Sequence, residues 1–259
     1  MTFNPPIVDW SARRCWIVGA STGIGAALAE RLAARGACVA LSARRREPLA
    51  EMAQRFGERN ALVLPLDIRD AKAMAGAAQA IVSAWRGIDL VVFMAGDYRA
   101  MRAWELDLEA ARAMVETNLM GVFNGLAAVI PQMIRQEAGH MALVSSVAGY
   151  RGLPKSLVYG PTKAALINLA ETLYLDLQPR GIGVSVVNPG FVKTPLTAQN
   201  DFKMPALISA DEAAKEIVAG LERGDFETHF PRRFTRVMRL MRLLPYQLYF
   251  PSIRRMTGL

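Results

Sequence analysis

The sequence predicts a single α/β domain in which a doubly wound parallel β-sheet carries helices on both faces. Short runs of aliphatic and β-branched residues alternate with longer helical segments along most of the chain. The strand-like runs are apolar throughout instead of alternating with polar residues, as expected for parallel strands that are covered on both faces. Repeated strand–helix units of this kind favour a doubly wound sheet with right-handed crossovers.

The predicted strands are short apolar runs that end at turn or helix signals. The first run ends in a cluster of glycines, and the later runs are rich in Val, Leu and Ile. Strands are predicted at residues 15–18, 38–41, 61–66, 89–93, 141–144 and 184–187, with one more short strand at 226–230.

The segments between these runs have apolar residues at helical spacing. Helices are predicted at 26–35, 47–56, 71–85, 108–136, 159–177 and 211–221, with Ser209 or Asp211 as the N-cap of the last one. The alternation of strands and helices stops at the segment 191–209, which contains Pro195 and Pro205. We expect a long binding loop or lid there, with at most a short helix.

The composition narrows the class of protein. The 259 residues are 52% hydrophobic and 21% charged, which supplies a large core and excludes a disordered chain. Cys15 and Cys38 lie in apolar runs, so we expect buried thiols in a reducing compartment. His140 and His229 lie far apart with no cysteine nearby, which argues against a metal site. No segment is typical of a signal peptide or of a membrane-spanning helix, so we expect a cytoplasmic protein.

A glycine cluster after the first strand predicts a phosphate-binding site. Gly19, Gly23 and Gly25 follow that strand and open the first helix. Glycine lets the backbone approach a pyrophosphate closely, and the helix N-terminus supplies N–H groups and partial positive charge. A tight strand–helix turn would give the same pattern, but the strand before and the helix after favour a dinucleotide.

The end of the second strand predicts which dinucleotide is bound. Arg44, Arg45 and Arg46 occur there with no acidic residue before Glu47. An acidic residue at this point usually binds the ribose of NAD, whereas an arginine accommodates the 2′-phosphate of NADP. We therefore predict NADP over NAD, bound through Arg44 or Arg45, and we expect at least one of the three arginines to be the solvated start of a helix.

Three side chains indicate carbonyl chemistry. Tyr159 and Lys163 are four residues apart and share one face of a predicted helix. A lysine ammonium beside a phenol lowers the pKa of the phenol, which makes it a usable proton donor to a carbonyl oxygen. This pair is common by chance, but Ser146 follows a predicted strand and is placed to hold the same oxygen.

With these motifs in order, the chain resembles the short-chain dehydrogenase/reductase family. The ordered set is Gly19, Gly23, Gly25, Asp67, Ala95, Gly96, Asn118, Ser146, Tyr159, Lys163 and Asn188-Pro189-Gly190, within residues 13 to 195. The resemblance implies a Rossmann-type sheet of seven parallel strands. It also implies hydride transfer between nicotinamide C4 and a carbonyl or alcohol carbon.

The resemblance also implies the roles of individual residues. Tyr159 would be the general acid/base, and Lys163 would lower its pKa and hold the nicotinamide ribose. Ser146 would orient the substrate oxygen, and Asn118 would complete a proton relay through water. Asp67 would contact the adenine, and a wall beside the nicotinamide would follow the last long strand. The implied cofactor-binding residues are Gly19, Ser21, Thr22, Gly23, Ile24, Gly25, Arg44, Arg45, Asp67, Ile68, Ala95, Gly96, Tyr159, Lys163, Pro189, Gly190, Val192 and Thr194.

The sequence departs from the family pattern at three places. Phe93 and Met94 precede Ala95-Gly96, where the family often has two asparagines. Side-chain packing must therefore stabilise the central strands in place of the asparagine side chains. Pro161 marks the start of a helix with Tyr159 in its first turn, because proline is tolerated mainly there. Thr22 replaces a basic residue that many NADP-preferring members carry.

The C-terminal residues form a basic extension. We separate it as residues 231–259 from a catalytic domain at 1–230, which includes the substrate loop 191–210. The net charge is +8, and the segment 228–259 has no acidic residue. Its arginines are Arg232, Arg233, Arg236, Arg239, Arg242, Arg254 and Arg255. The pattern predicts an amphipathic helix broken near Pro245, which either lies on an anionic membrane surface or packs on the domain or another subunit. We expect no nucleic-acid binding.

The substrate and the assembly are predicted less directly. The apolar residues between 191 and 208 favour a hydrophobic, lipid-like carbonyl compound or secondary alcohol as the small-molecule substrate. The apolar spacing in helix 159–177 favours a homodimer or homotetramer. The alternative function is a catalytically vestigial dinucleotide sensor or scaffold that acts through its basic tail, since a fold does not fix a function.

Overall fold

The computed structural model of the protein describes residues 2–57, 60–200, 202 and 204–258, and its sheet has seven strands in the order β3-β2-β1-β4-β5-β6-β7. The strands are β1 Arg14–Val18, β2 Cys38–Ser42, β3 Ala61–Val63, β4 Leu90–Phe93, β5 Gly139–Val144, β6 Ile182–Pro189 and β7 Glu227–Phe230. All six neighbouring pairs are parallel. The predicted doubly wound parallel sheet is confirmed.

Helices cover both faces of this sheet. They are α1 Gly23–Ala33, α2 Arg46–Phe56, α3 Ala71–Trp85, α4 Leu108–Val115, α5 Gly121–Gln136, α6 Tyr159–Leu177, α7 Ala210–Arg223, α8 Arg232–Arg242 and α9 Tyr246–Thr257. Buried residues of α3, α5 and α6 form one core layer with the sheet, and those of α1, α2 and α7 form the other. The two layers enclose the sheet as the sequence predicts.

The central strand β1 shows why these strands are apolar throughout. Cys15 and Ile17 point into the layer formed with α1, α2 and α7. Trp16 and Val18 point into the opposite layer. All four are at most 1% exposed, because side chains alternate between faces and both faces are covered.

Two predicted elements differ from the observed ones. The strand predicted at 61–66 ends at Val63, although the N–H groups of Leu64 and Leu66 still donate to the Leu41 and Ala43 carbonyl oxygens at 2.9 and 3.0 Å. The helix predicted at 108–136 is divided by a π-helical segment, Glu116–Met120, between α4 and α5. Such a segment widens the backbone spiral locally and often marks a functional site.

Two details at helix starts follow the prediction. Ser209 caps α7 by accepting a hydrogen bond from the Glu212 N–H, and the Glu212 carboxylate binds back to the Ser209 backbone. Tyr159 is the first residue of α6, so Pro161 lies in the first turn.

The continuous helical run Leu108–Gln136 is, within the described residues, the one helix long and apolar enough to cross a membrane by composition alone. This criterion is weak, since core helices of soluble proteins also meet it. Val122, Leu126 and Val129 of α5 are buried in the core layer beside α3.

The extension forms two helices, of which only the first is predicted from the sequence. The segment after Pro245, which the sequence analysis leaves without a helix, forms α9. Met238 of α8 joins the main core, and Met241, Tyr249 and Ile253 form a small separate cluster. The division of the chain into 1–230 and 231–259 stays a prediction.

Candidate active site

A cavity of about 910 Å³ opens where β1, β2, β4, β5 and β6 end. Ligands of open parallel sheets bind at this end, near the point where the strand order reverses. Of the predicted site residues, all except Asn118 line the cavity. They are Gly19, Ser21, Thr22, Gly23, Ile24, Gly25, Arg44, Arg45, Asp67, Ile68, Ala95, Gly96, Ser146, Tyr159, Lys163, Pro189, Gly190, Val192 and Thr194. The structure therefore gathers residues from distant parts of the chain around one space.

The glycine loop between β1 and α1 forms one end of this space. Gly19 has φ +104°, a conformation that residues with a side chain rarely adopt. A Cβ on Gly25 would lie 2.1 Å from the Gly19 carbonyl oxygen, so the loop and the helix can touch only because both residues are glycines. The N–H groups of Gly19 and Ala20 donate to the Ser42 carbonyl oxygen at 2.7 and 3.0 Å, which fixes the loop against β2.

The N-terminus of α1 is open toward an anion. Within the described part of the chain, the Thr22 side chain makes no capping hydrogen bond and no acidic residue occurs in the first turn. Backbone N–H groups at such a terminus lack helical partners and carry partial positive charge. The narrow glycine cradle and this terminus together fit a dinucleotide pyrophosphate.

The end of β2 presents basic groups to the cavity. Arg44 and Arg45 are exposed and line it, whereas the described lining does not include Arg46, the first residue of α2. One of the three arginines is thus the start of a helix, as the sequence analysis expects. This end of the cavity suits a ligand that carries a phosphate near β2.

Asp67 follows β3 and carries its charge toward the same end. The Arg69 guanidinium bonds its carboxylate, with an Nη2–Oδ2 distance of 2.6 Å. This hydrogen bond holds the pKa of Asp67 below its usual value, and the charge of Arg44 acts in the same direction. Arg69 also lines the cavity and is missed by the sequence analysis, which has no signal for an arginine two residues past a strand.

Ser146, Tyr159 and Lys163 meet at the other end of the cavity. Lys163 Nζ lies 5.6 Å from the centroid of the Tyr159 ring and donates to the Val144 carbonyl oxygen at 2.9 Å. Ser146 is the second residue after β5, and its Oγ accepts from the Ala148 N–H at 3.1 Å. The Ser146 hydroxyl donates to the Pro189 carbonyl oxygen at 3.4 Å, and its proximity to the Tyr159 phenol lowers the pKa of that phenol.

The pKa values of the two titratable groups move in the directions that burial dictates. Burial raises the pKa of Tyr159 to about 12, while the bond to Ser146 lowers it and Tyr98 adds a smaller upward shift. Burial lowers the pKa of Lys163 to about 8. Lys163 is not among the groups that shift the pKa of Tyr159 here, and its ammonium donates to the Val144 carbonyl oxygen. The role of Lys163 in lowering that pKa stays a prediction.

Asn118 lies in the π-helical segment behind the cavity and is fully buried. Its Oδ1 accepts from the Asp97 N–H at 2.6 Å, and its Nδ2 donates to the Asp97 carbonyl at 2.9 Å and to Thr162 Oγ1 at 3.2 Å. These bonds tie the loop after β4 to α6. The described lining of the cavity does not include Asn118, but a Cβ built on Gly96 would lie 3.5 Å from both Asn118 Oδ1 and Lys163 Nζ. The proton relay through Asn118 stays a prediction.

Tyr98 is the main residue that the sequence analysis misses. Its ring packs edge-on against Tyr159, with centroids 4.9 Å apart and an interplanar angle of 73°. Its hydroxyl donates to Asn200 Oδ1 at 3.0 Å, and its carbonyl accepts from Gln199 Nε2 at 2.8 Å. These contacts join the loop after β4 to the loop after β6 across the cavity. No pattern in the sequence distinguishes this tyrosine from others.

The expected apolar wall is only partly at the cavity. Pro195 and Leu196 line it, but the described lining does not include Phe191. The Phe191 ring instead packs against Phe202 and Phe234, with centroid distances of 5.6 and 5.5 Å. Over the described ranges, no group of three or more His, Cys, Asp or Glu residues could hold a metal ion.

Comparison with known sequences gives consistent matches. The sequence profile of the family described as short chain dehydrogenase matches residues 13–204. An uncharacterized oxidoreductase of Myxococcus xanthus is 36% identical over 252 residues, which cover 96% of this chain and 100% of that protein. An uncharacterized oxidoreductase of Mycobacterium tuberculosis is 32% identical over 238 residues, which cover 90% of this chain and 94% of that protein.

Comparison with solved structures agrees. A short chain dehydrogenase from Burkholderia cenocepacia in complex with NADP has a TM-score of 0.84 at 26% identity, covering 95% of this chain and 98% of that chain. A short chain dehydrogenase/reductase from Burkholderia phymatum in complex with NAD has a TM-score of 0.82 at 23% identity, covering 90% and 94%. The second likeness concerns the fold alone.

Proposed function

The chain belongs to the short-chain dehydrogenase family, and on that premise we propose an NADP-dependent oxidoreductase that acts on a hydrophobic, lipid-like carbonyl compound or secondary alcohol. Its relatives are named oxidoreductases, and similar solved chains bind NAD or NADP. The observation that carries the proposal is the arrangement of one cavity. A glycine cradle lies at one end, and Ser146, Tyr159 and Lys163 lie together at the other.

The proposed chemistry depends on a proton held by Tyr159. A bound nicotinamide dinucleotide would supply or accept the hydride at the substrate carbon. With a pKa of about 12, the phenol is protonated at neutral pH and is ready to give its proton to a carbonyl oxygen. Ser146 hydrogen-bonds the same oxygen and orients it. The carbonyl then becomes an alcohol, and the phenolate is left to recover its proton from water.

Lys163 stabilises that phenolate by its charge. With a pKa of about 8, it is still an ammonium at neutral pH. Lys163 Nζ also lies near Gly96, since a Cβ built on Gly96 would be 3.5 Å from it. We assign Asn118 a positioning role as well, because its side chain binds the loop after β4.

Arg44 and Arg45 support the NADP preference. Each guanidinium that binds the 2′-phosphate contributes a charge-assisted hydrogen bond worth about 1.5–3 kcal/mol, or about a tenfold or larger effect on Kd. Fluorescence titration should therefore show a tenfold or larger weakening of NADPH binding by the double variant Arg44→Ala/Arg45→Ala. Binding of NADH should change little.

Arg46→Ala is the matched control for this titration, since Arg46 is equally basic but begins α2 outside the described lining. It should leave both dissociation constants unchanged. Equal weakening of NADPH and NADH by the double variant would contradict the NADP assignment.

The substrate class is tested by turnover of a homologous series. Tyr98, Pro195 and Leu196 present apolar surface at the end of the cavity next to Tyr159. We expect kcat/KM with NADPH to rise with the chain length of a series of methyl ketones, because each buried methylene adds about 0.8 kcal/mol. If kcat/KM does not change with chain length, the substrate is not lipid-like, but the proposal that the protein is an oxidoreductase still stands.

We propose a cytoplasmic homodimer or homotetramer. Its subunit contact lies on a different helix from the one that the sequence suggests. Leu166 and Ala170 of α6 are buried in their own domain, so the apolar face of that helix does not indicate a partner. Phe123 and Ile134 of α5 are instead 42% and 38% exposed. Light scattering of Phe123→Ser should show a smaller mass than wild type if α5 forms the contact.

A further inference from the structure

The two C-terminal helices carry nearly all of the net charge of the protein. Seven of its eight net positive charges come from arginines in the segment 228–259, and all seven side chains are exposed. Among the described residues, only Arg239 pairs with a carboxylate, that of Glu227 at 3.4 Å. Six guanidinium groups on α8 and α9 are therefore available to an external anionic partner.

The same helices also expose large apolar side chains. Leu240 is 66% exposed, Leu243 is 79% exposed and Tyr246 is 65% exposed. Phe250 is 54% exposed and stacks on Tyr246, with centroids 5.5 Å apart and an interplanar angle of 15°. Leu240 on α8 and Leu243, the C-cap of α8, follow Arg236 by four and seven residues, so arginine and leucine share one outward face. A large apolar patch beside basic groups marks an interaction surface.

The opposite faces of both helices are fixed to the domain. Met238 of α8 and Tyr249 of α9 are buried. The Tyr249 hydroxyl donates to the Gly152 carbonyl at 2.7 Å. The Arg151 guanidinium donates to the Met241 carbonyl at 3.1 Å and lies 3.9 Å from the centroid of the Tyr249 ring. Packing on the domain, one of the two expectations from the sequence, therefore uses the inner faces and leaves the outer faces exposed.

The start of α8 adjoins a loop that borders the cavity. Phe234 of α8 packs against Phe191, with centroids 5.5 Å apart, and a Cβ on Gly190 would lie 2.9 Å from Phe234. Gly190 and Val192, the chain neighbours of Phe191, line the cavity. Phe202, which packs on Phe191, is 44% exposed. Aromatic contacts thus connect the first turn of α8 with the loop that borders the site.

We propose that the outward face of α8 and α9 docks on an anionic lipid bilayer. Arginines would bind lipid headgroups while Leu240, Leu243 and Phe250 enter the headgroup–acyl boundary, as in other basic amphipathic helices. A two-fold contact between copies of this chain would oppose like charges, which disfavours it. Nucleic acid would bind the arginines but would make no use of the exposed Leu240 and Leu243, so we disfavour it as the partner. If the proposed function holds, a lipid-like substrate would reach the cavity from the bilayer.

Vesicle sedimentation of the full chain tests this proposal without any substrate. One set of vesicles contains phosphatidylcholine alone, and the other contains equal parts of phosphatidylcholine and phosphatidylglycerol. We expect binding to the anionic vesicles at least tenfold tighter than to the neutral ones. Arg233→Glu/Arg236→Glu and Leu240→Ser/Leu243→Ser should each lower that affinity at least tenfold, since one removes charge and the other removes apolar contact.

Matched control variants lie far from these helices. Arg180 is an exposed arginine and Leu175 is 74% exposed. Arg180→Glu and Leu175→Ser should leave vesicle binding unchanged. Circular dichroism and NADPH titration confirm that each variant is folded, and they separate failure of docking from failure of the proposed function.

Three outcomes would overturn the proposal. Equal binding to both kinds of vesicle, or no binding, would remove the anionic surface as the partner. A smaller mass of Leu240→Ser/Leu243→Ser by light scattering would assign the face to subunit contact. Tighter binding to duplex DNA than to the anionic vesicles would assign it to nucleic acid.

Discussion

Replacing Gly25 by alanine tests whether contact between the glycine loop and α1 shapes the dinucleotide site. A Cβ on Gly25 would lie 2.1 Å from the Gly19 carbonyl oxygen and 3.2 Å from Met94 Cγ. The first neighbour is backbone, so a small side-chain movement cannot relieve the overlap. The overlap is relieved only if the Gly19 loop and the start of α1 separate, which strains the hydrogen bond from the Gly19 N–H to the Ser42 carbonyl at 2.7 Å.

The size of the effect follows from two opposing contributions. Alanine in a helix is favoured over glycine by about 1 kcal/mol. Overpacking a tight contact costs about 1–3 kcal/mol. We therefore expect Gly25→Ala to lower the free energy of unfolding by up to about 2 kcal/mol. NADPH binding should weaken at least tenfold, because the displaced loop is the cradle for the pyrophosphate.

Gly76→Ala is the matched control, because it makes the same substitution in another helix. Gly76 lies in α3, and no described heavy atom outside its own helix backbone lies within 4 Å of a Cβ built there. This variant should gain about 0.5–1 kcal/mol of stability and bind NADPH like wild type. Urea unfolding followed by circular dichroism, with NADPH fluorescence titration, measures both quantities. A Gly25→Ala protein that binds NADPH as wild type does would refute the reasoning.

Three further predictions concern the catalytic end and the C-terminal helices. The pKa of Lys163 is about 8, so its ammonium supports the Tyr159 phenolate below that pH and is lost above it. Carbonyl reduction should fall above about pH 8, and Lys163→Arg should move that limb upward; a limb that stays in place would contradict this role. The Tyr98 and Tyr159 ring centroids are 4.9 Å apart, so Tyr98→Ala should enlarge the substrate site. The ratio of kcat/KM for a bulky ketone to kcat/KM for a small one should then rise about tenfold. An unchanged ratio would show that Tyr98 does not border the substrate. Arg151 lies 3.9 Å from the Tyr249 ring centroid and bonds carbonyls at the end of α8, so Arg151→Met should cost about 2 kcal/mol in urea unfolding. A cost below about 0.5 kcal/mol would show that this contact is not an anchor.

The sequence predicts the sheet well because local pattern and tertiary environment agree there. β1 is apolar on every residue, and burial on both faces is the environment that such a run requires. The helix α6 begins at Tyr159 as predicted, since Pro161 restricts where a first turn can lie. The glycine loop is also recognisable, because its spacing follows from close backbone contacts.

Features that depend on contacts between distant segments are not predictable in this way. Pro251 lies inside α9, and the helix persists because Tyr249 and Ile253 pack against the domain. Tyr98 reaches the site through a loop whose path is set by Asn118. The upward shift of the Tyr159 pKa arises from burial, which the pairing with a lysine four residues later does not reveal.

The central claim is that Tyr159 is the proton donor of a carbonyl reductase, and Tyr159→Phe tests it most directly. NADPH binding and NADPH oxidation with a long-chain ketone are measured on the same samples of wild type and variant. We predict that the variant binds NADPH as wild type does and turns over about 10²–10⁴-fold more slowly, the usual contribution of a positioned acid. Equal turnover by the two proteins would contradict the claim. Tight NADPH binding by both without any turnover would favour the alternative, a dinucleotide sensor or scaffold.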